Sequence, residues 1–185
     1  METIRKHKEL FCALGAIIIC AVLILVWREY DRTFLANTTD DLYDVAVRKM
    51  VYDNAFKQNK QMWTDSVIND FKPLREPFTD NDCAVLFMYS ENHDGVFIAS
   101  TFKRENSKWR YLYSVYDDSI FIDGRFITTL GMAVIVNSDI VKYIQLPRGD
   151  TYDLVEIDAI PFVYIYDMNV YDRYKLLDEN MNQLR

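Results

Sequence analysis

The sequence predicts an α+β fold in which an N-terminal transmembrane helix precedes an amphipathic helix, or two, packed on a mostly antiparallel curved β-sheet. Three observations predict it. An uncharged apolar run lies near the start of the chain, helical periodicity follows, and short β-branched and aromatic segments fill the second half. No helical segment separates the predicted strands, which favours α+β over a parallel α/β arrangement.

The first element is an apolar run of 18 residues, 10–27, that contains no charged side chain. At about 1.5 Å per residue, a helix of this length spans about 27 Å, close to the hydrocarbon thickness of a bilayer. Basic residues at 5, 6 and 8 precede the run and outnumber those that closely follow it, which favours a cytoplasmic N-terminus. A cleaved signal peptide is the alternative, but no small-x-small cleavage site follows the run.

This anchor divides the chain into four predicted parts. They are a cytoplasmic tail (1–9), a transmembrane helix (10–27), a juxtamembrane linker (28–37) and an extracytoplasmic domain (38–185). The predicted location is therefore the cell membrane, crossed once, with the lipid bilayer as the partner of residues 10–27.

The extracytoplasmic domain begins with a predicted helical segment, 39–71. Residues 38–41 supply the hydroxyl and carboxylate groups that favour a helix start. Apolar residues then recur at helical spacing until Pro73, and the stripe thins at 57–61, where the segment could divide into two helices. The residues expected to pack on the sheet are Leu42, Ala46, Met50, Phe56 and Trp63, opposite strand residues such as Trp109 and Tyr111.

Eight later segments predict strands, because β-branched and aromatic residues dominate them and turn residues separate most of them. They are 83–90, 96–102, 108–116, 119–123, 125–136, 140–146, 153–157 and 161–167. Predicted turns include 123–124 and 137–139. A closing hairpin is predicted to join 171–177 to 182–185 through 178–180.

Charge and cysteine content exclude several classes of function. The 185 residues include 21 Lys and Arg against 28 Asp and Glu, a net charge of −7, so no nucleic-acid partner is predicted. Only Cys83 lies outside the apolar run, so the domain cannot close a disulfide and lacks the ligands of a structural zinc site. Phosphate-binding loops and nucleophile elbows are absent from the sequence, and no cofactor is predicted.

Two sets of residues could carry catalysis. Cys83 with His93 is the possible nucleophile and base, since such catalysis needs a thiol within hydrogen-bond reach of an imidazole. A structural strand cysteine and a turn histidine are the simpler interpretation. Carboxylates cluster at 80 and 82, at 117, 118 and 123, and at 178 and 179, where turn formation accounts for them. No catalytic or metal-binding residue is therefore predicted.

Aromatic residues alternate along two predicted strands, so each row is expected to share one strand face. Such rows could stack on a sugar or a peptide partner, or pack against the amphipathic helix. The predicted binding residues are Trp109, Tyr111 and Tyr113 on one strand and Tyr164 and Tyr166 on another.

Four segments carry a resemblance to a known class of proteins. They are the hairpin 94–102, the strand start Lys108-Trp109-Arg110-Tyr111, the segment from Gly131 to Ile144 and the closing hairpin 174–180. In this layout the chain resembles uncharacterised single-pass membrane-anchored ectodomain proteins of Gram-positive bacteria. The resemblance implies a location outside the cytoplasmic membrane and implies no activity.

These features favour a non-enzymatic, membrane-anchored extracytoplasmic domain that binds a protein or a cell-envelope component. The alternative is a small-ligand-binding or enzymatic domain with a pocket between the helix and the curved sheet. An exposed aromatic patch would favour the first function, whereas Cys83, His93 or two carboxylates meeting in a deep pocket would favour the second.

Overall fold

The computed structural model describes residues 14–27, 34–56, 65–166 and 174–184, and the chain divides into two units, Met1–Leu35 and Ala36–Arg185. In the first unit, residues 14–27 form helix α1. Among the described residues, no helix combines the length and the apolarity that crossing a membrane requires. The first four residues of the predicted transmembrane segment, like the predicted tail, lie outside the described residues.

The second unit begins with helices α2 (Leu42–Phe56) and α3 (Asp65–Asn69). The turn before α2 is held by the carboxylate of Asp41, which accepts the backbone N–H groups of Asn37 and Thr38 at 3.1 and 3.0 Å. The hydrogen bond from Thr38 is the main cause that holds the pKa of Asp41 below its usual value. α2 thus begins directly after the predicted start signal at 38–41, three residues later than the predicted segment 39–71.

The sheet-facing side of α2 is only partly as predicted. Leu42 and Ala46 are buried and Met50 is half-buried. The side chain of Phe56 and the whole of residues 57–64, with Trp63 and the predicted break, lie outside what the structure describes. α2 contacts the strand that carries Trp109 and Tyr111, and that contact supports the predicted packing of helix on sheet.

The strands are short and follow one another along the chain. They are β1 (Leu35–Ala36), β2 (Phe71–Pro73), β3 (Phe78–Thr79), β4 (Cys83–Ser90), β5 (Phe97–Glu105), β6 (Lys108–Asp117), β7 (Asp123–Thr128), β8 (Gly131–Val136), β9 (Tyr143–Arg148), β10 (Thr151–Glu156), β11 (Phe162–Tyr166) and β12 (Lys175–Leu177).

These strands form three sheets. The first sheet has the order β1-β6-β5-β4-β2, with β3 also paired to β4; the middle sheet is β11-β8-β7 and the last sheet is β10-β9-β12. The registers from β2 to β12 are antiparallel. The α+β class and the mostly antiparallel pairing are thus confirmed.

The division into three sheets follows from β8, which is apolar on both faces. Ala133 and Ile135 pack with Val85 and Phe87 of the first sheet in one core. Met132, Val134 and Val136 lie on the other face of β8 and pack with the last sheet in a second core; their partners there include Ile144, Leu146 and Leu176. A strand buried on both faces needs a layer on each side, so one sheet with a single covered face could not accommodate it.

Two predicted strands differ from the structure. Residues 119–122 are irregular rather than extended, and 125–136 is a hairpin of β7 and β8 rather than one strand. The turn of that hairpin has no Asn-Gly or Asp-Gly signal. Instead the hydroxyl of Thr128 donates to the carbonyl of Gly131 at 2.8 Å and accepts the N–H of Leu130 at 3.2 Å. The predicted turn at 123–124 is the start of β7.

The closing turn is confirmed. The carboxylate of Asp178 accepts the backbone N–H groups of Asn180 and Asn182 at 2.9 and 2.8 Å, and Leu177 pairs with Gln183. Residues 167–173, which include the start of the predicted hairpin, lie outside the described residues.

Candidate functional site

The first predicted aromatic row lies on β6, and the structure divides it between two faces. Arg104 pairs with Trp109 and Phe102 with Tyr111, but the register then shifts, so that Thr101 pairs with Tyr113. One extra residue, Leu112, therefore interrupts the alternation. Trp109 and Tyr111 lie on one face of the first sheet, and Tyr113 lies on the other.

The two faces differ in exposure. Trp109 is buried beneath the guanidinium of Arg104, whose carbon lies 5.6 Å from the ring centroid. The ring of Tyr111 packs edge-on against Phe102, and its hydroxyl donates to the Ser114 hydroxyl at 2.8 Å. These contacts fit a packing role for both residues, whereas Tyr113 is exposed to solvent.

The second predicted row, on β11, faces the second core. Tyr164 and Tyr166 pair with Val134 and Met132 of β8 and lie on the side that packs against the last sheet. Tyr166 is buried, with its ring 6.1 Å from that of Tyr174. The geometry therefore assigns these two tyrosines to the junction of two sheets.

The possible Cys–His pair is not assembled. Cys83 begins β4 and His93 follows the end of that strand, Ser90, by three residues. At about 3.3 Å per residue, the length of β4 alone separates them by about 23 Å. His93 instead lies 4.0 Å from a carboxylate oxygen of Asp70. A thiol–imidazole mechanism would need hydrogen-bond distance, so this pair cannot act together.

The acidic clusters serve as turn caps. Asp80 accepts the N–H groups of Asp82 and Cys83 at 2.8 and 2.6 Å, and Asp117 accepts both the N–H and the hydroxyl of Ser119. Within the part of the chain that the structure describes, no three His, Cys, Asp or Glu side chains are placed to hold a metal ion.

A different aromatic surface lies on the outer side of the last sheet. In β9 and β12, Ile144, Leu146 and Leu176 face the core, and the neighbouring strand residues alternate to the opposite side. We call that opposite side the tyrosine face; it comprises Tyr143, Gln145, Pro147, Tyr152 and Leu154, which are brought together by the β9–β10 register.

At residues 152–154 of β10 the usual alternation is inverted, whereas Val155 faces the second core. Tyr152 and Leu154 point outward, 61% and 44% exposed, whereas Asp153 pairs with core-facing Leu146 on the inner side. A shift of one residue in register would exchange the two sides of the strand. The sequence does carry this signal, a Tyr-x-Leu alternation between polar residues, but periodicity alone predicts that its apolar members face inward.

The clefts formed by the described residues include one beside β7 and one beside β11. The larger, about 440 Å³, lies beside the loop 119–122; we call it the Phe121 cleft, and it is lined by Ser119, Phe121, Ile122, Asp123, Ile140 and Leu184. The smaller, about 280 Å³, is lined by Leu74, Arg75 and residues 158, 159 and 161–163. Neither contains a residue of α2 or α3, so neither is the helix–sheet pocket of the enzymatic alternative.

Beside the larger cleft, Tyr174 links the middle and last sheets. Its hydroxyl donates to Asp123 and accepts the Nε–H of Arg125 at 3.1 Å, and the guanidinium carbon lies 5.0 Å from its ring centroid. Burial, and then the hydrogen bond to Asp123, raise the pKa of Tyr174 well above its usual value. The phenol therefore stays protonated and acts as a clamp between β7 and the segment leading into β12.

No protein-family model, curated protein or solved structure matches the chain. A function is therefore inferred from the geometry of the chain's own surfaces. Among these surfaces, the tyrosine face presents two exposed apolar side chains, Tyr152 and Leu154, beside the half-buried Tyr143 and Pro147 on one regular, hydrogen-bonded scaffold.

Proposed function

We propose that the chain is a membrane-anchored extracytoplasmic domain, without catalytic activity, that binds a protein or a cell-envelope component through the tyrosine face. The observation that supports this function is the inverted alternation at residues 152–154 of β10. It presents Tyr152 and Leu154 to solvent on a strand whose register is fixed by β9.

The chemistry of the face suits recognition. Tyrosine combines a large apolar ring with a polar hydroxyl and loses little side-chain entropy on binding, which is why it is enriched at interfaces. Gln145, between Tyr143 and Pro147 on β9 and opposite Leu154, adds an amide that can both donate and accept hydrogen bonds. A partner could thus bury the apolar centre and still satisfy polar groups.

The anchor is the second part of the proposal. Residues 10–27 would cross the bilayer once, with residues 1–9 in the cytoplasm and residues 38–185 outside, as in the single-pass proteins that the layout resembles. Glu179, in the exposed closing turn, provides a position for a test. In a Cys12→Ser, Cys20→Ser, Cys83→Ser background, Glu179→Cys should react in intact cells with a membrane-impermeant maleimide. Labelling only after lysis would contradict the topology.

The binding function is tested by photo-crosslinking. A photoreactive phenylalanine analogue placed at Tyr152 of the full chain should yield a discrete adduct in native membranes or with purified cell wall. The matched control carries the analogue at Ile127, which is also 61% exposed but lies on β7 of the middle sheet. We expect the adduct from position 152 alone; the same products from both positions, or none from either, would contradict the proposal.

A further inference from the structure

We propose that the Phe121 cleft binds an extended peptide that presents apolar side chains next to lysine or arginine residues. The cleft shares no residue with the tyrosine face, so this second site goes beyond the proposed function. Four features of the cleft support it: a fixed loop, an apolar lining, an acidic rim and a suitable size.

The loop that forms one wall is fixed by backbone hydrogen bonds. The N–H of Ile120 donates to the carbonyl of Gly95 at 3.0 Å, and the carbonyl of Ile120 accepts the side-chain amide of Asn137 at 3.0 Å. The backbone N–H of Asn137 donates to the carbonyl of Ile122 at 2.8 Å. Because the side chain of Ile120 is buried, the two residues after it are held outward, toward the cleft.

Glycine at position 95 is required by this arrangement. Its φ is +78°, and a Cβ there would lie 2.9 Å from the ring of Phe121. The ring thus rests against bare backbone and remains 59% exposed on its other side. A preformed aromatic surface of this kind loses little conformational freedom when a ligand binds.

The lining is apolar and comes from separate parts of the chain. Phe121 and Ile122 belong to the loop, Ile140 to the turn before β9 and Leu184 to the C-terminal segment paired with β12. Each of the four side chains is at least 40% exposed. Single exposed apolar residues are ordinary, but four that converge on one cleft mark a binding surface.

The rim is acidic. Asp123 lines the cleft, and the exposed carboxylates of Asp118 and Asp139 adjoin lining residues in sequence. Asp123 accepts the Tyr174 hydroxyl and Arg125 donates to it. The exposed carboxylates of Asp118 and Asp139 therefore provide most of the negative charge near the cleft, with Lys142 as a nearby cation in sequence. Together with the net charge of −7, this distribution favours a ligand with positive charge beside its apolar groups.

The size of the cleft fits side chains rather than a folded surface. About 440 Å³ lies within the range of small-ligand sites, and the cleft is open to solvent, so a chain can enter with both of its ends outside. An extended segment places alternate side chains on opposite sides, so apolar groups can fill the cleft while basic groups reach the rim.

The test uses the full chain in nanodiscs of zwitterionic lipid, with empty nanodiscs as background. The probe is a fluorescent synthetic peptide in which two leucines alternate with three lysines. We expect saturable binding that Phe121→Ser and Ile140→Ser each weaken at least tenfold. The control Ile127→Ser, with similar exposure outside the cleft, should change the affinity less than twofold.

Two further comparisons separate charge from apolar contact. Asp139→Asn should weaken binding about twofold to fivefold and reduce its salt dependence, and replacing the peptide's leucines with serines should abolish binding. Equal binding by all variants would show non-specific attraction of a basic peptide and overturn the proposal, as would equal binding of a glutamate-for-lysine peptide.

Because Ile140 lies in a turn away from the loop 119–122, its variant remains informative if Phe121→Ser fails to fold. The crosslinking experiment at position 152 does not depend on any of these variants. The proposal for the tyrosine face and the proposal for the Phe121 cleft can therefore fail independently.

Discussion

Strands β8 and β10 have six residues each but differ in the surroundings of their apolar side chains, although Val155 of β10 also packs against the second core. In β8, the residues from Met132 to Val136 are all buried, because the middle sheet lies between two cores. In β10, Tyr152 and Leu154 are turned away from the nearer core and into solvent. The difference separates apolar residues that hold the two cores together from apolar residues that remain accessible for the proposed binding.

The largest expected effect is the difference in unfolding free energy between truncating an apolar side chain on β8 and truncating one on β10. Ile135→Ala removes a fully buried side chain that touches the first core, and it should lower the free energy of unfolding by about 2–5 kcal/mol. Leu154→Ala, which truncates a solvent-facing side chain on β10, should change it by less than about 0.5 kcal/mol. Urea unfolding of the two full-length variants, followed by tryptophan fluorescence, measures both; equal losses would place Leu154 in a core.

The turns that precede these strands give the next comparison. Gly131 has a φ of +133°, and a Cβ there would lie 2.5 Å from the backbone oxygen of Tyr166; Gly149 has a φ of +59° and no neighbour within 4 Å. Gly131→Ala should therefore cost at least about 1–3 kcal/mol from backbone strain alone, with the clash in addition. Gly149→Ala should cost about 1 kcal/mol. If the same measurement gave a larger loss of unfolding free energy for Gly149→Ala than for Gly131→Ala, it would contradict the difference in packing between the two turns.

The clamp between the two sheets predicts a pH effect. The pKa of Tyr174 is raised in the folded state, so above its usual value near 10 the unfolded chain releases this proton first. Stability should then fall as pH rises, by up to about 1.4 kcal/mol per pH unit from this group. Between pH 9 and pH 11, the free energy of unfolding of Tyr174→Phe should therefore fall less steeply than that of the parent protein. Identical slopes for the two proteins would show that the phenol is not held in its protonated form.

Much of the fold could be predicted from local pattern. Segment 83–90 matches β4 because a run of β-branched and aromatic residues has no helical period, and the closing turn follows from Asp178 and its asparagine neighbours. The hairpin of β7 and β8 was not predictable in the same way. Its turn depends on local hydrogen bonds of the Thr128 hydroxyl, which no turn dipeptide signals, and on the close approach of Tyr166 to Gly131, which is a tertiary contact.

The candidate sites were harder to predict because side-chain direction depends on register. The extra residue Leu112 moves Tyr113 to the face opposite Trp109, and no local sequence signal marks it. The tyrosine face has the same origin. Periodicity shows that Tyr152 and Leu154 share a side of β10, but only pairing with β9 determines which side meets the core.

The smallest expected change in stability provides the most direct test of the account. The double variant Tyr152→Ser, Leu154→Ser replaces the apolar centre of the tyrosine face, and its free energy of unfolding should stay within about 0.5 kcal/mol of the parent. With the photoreactive analogue moved to the neighbouring position Pro147, the parent should form the discrete adduct and the double variant should lose it. An unchanged unfolding midpoint together with a lost adduct is the predicted result. A free energy of unfolding lowered by several kcal/mol, or an adduct that persists, would contradict the assignment of this face to binding.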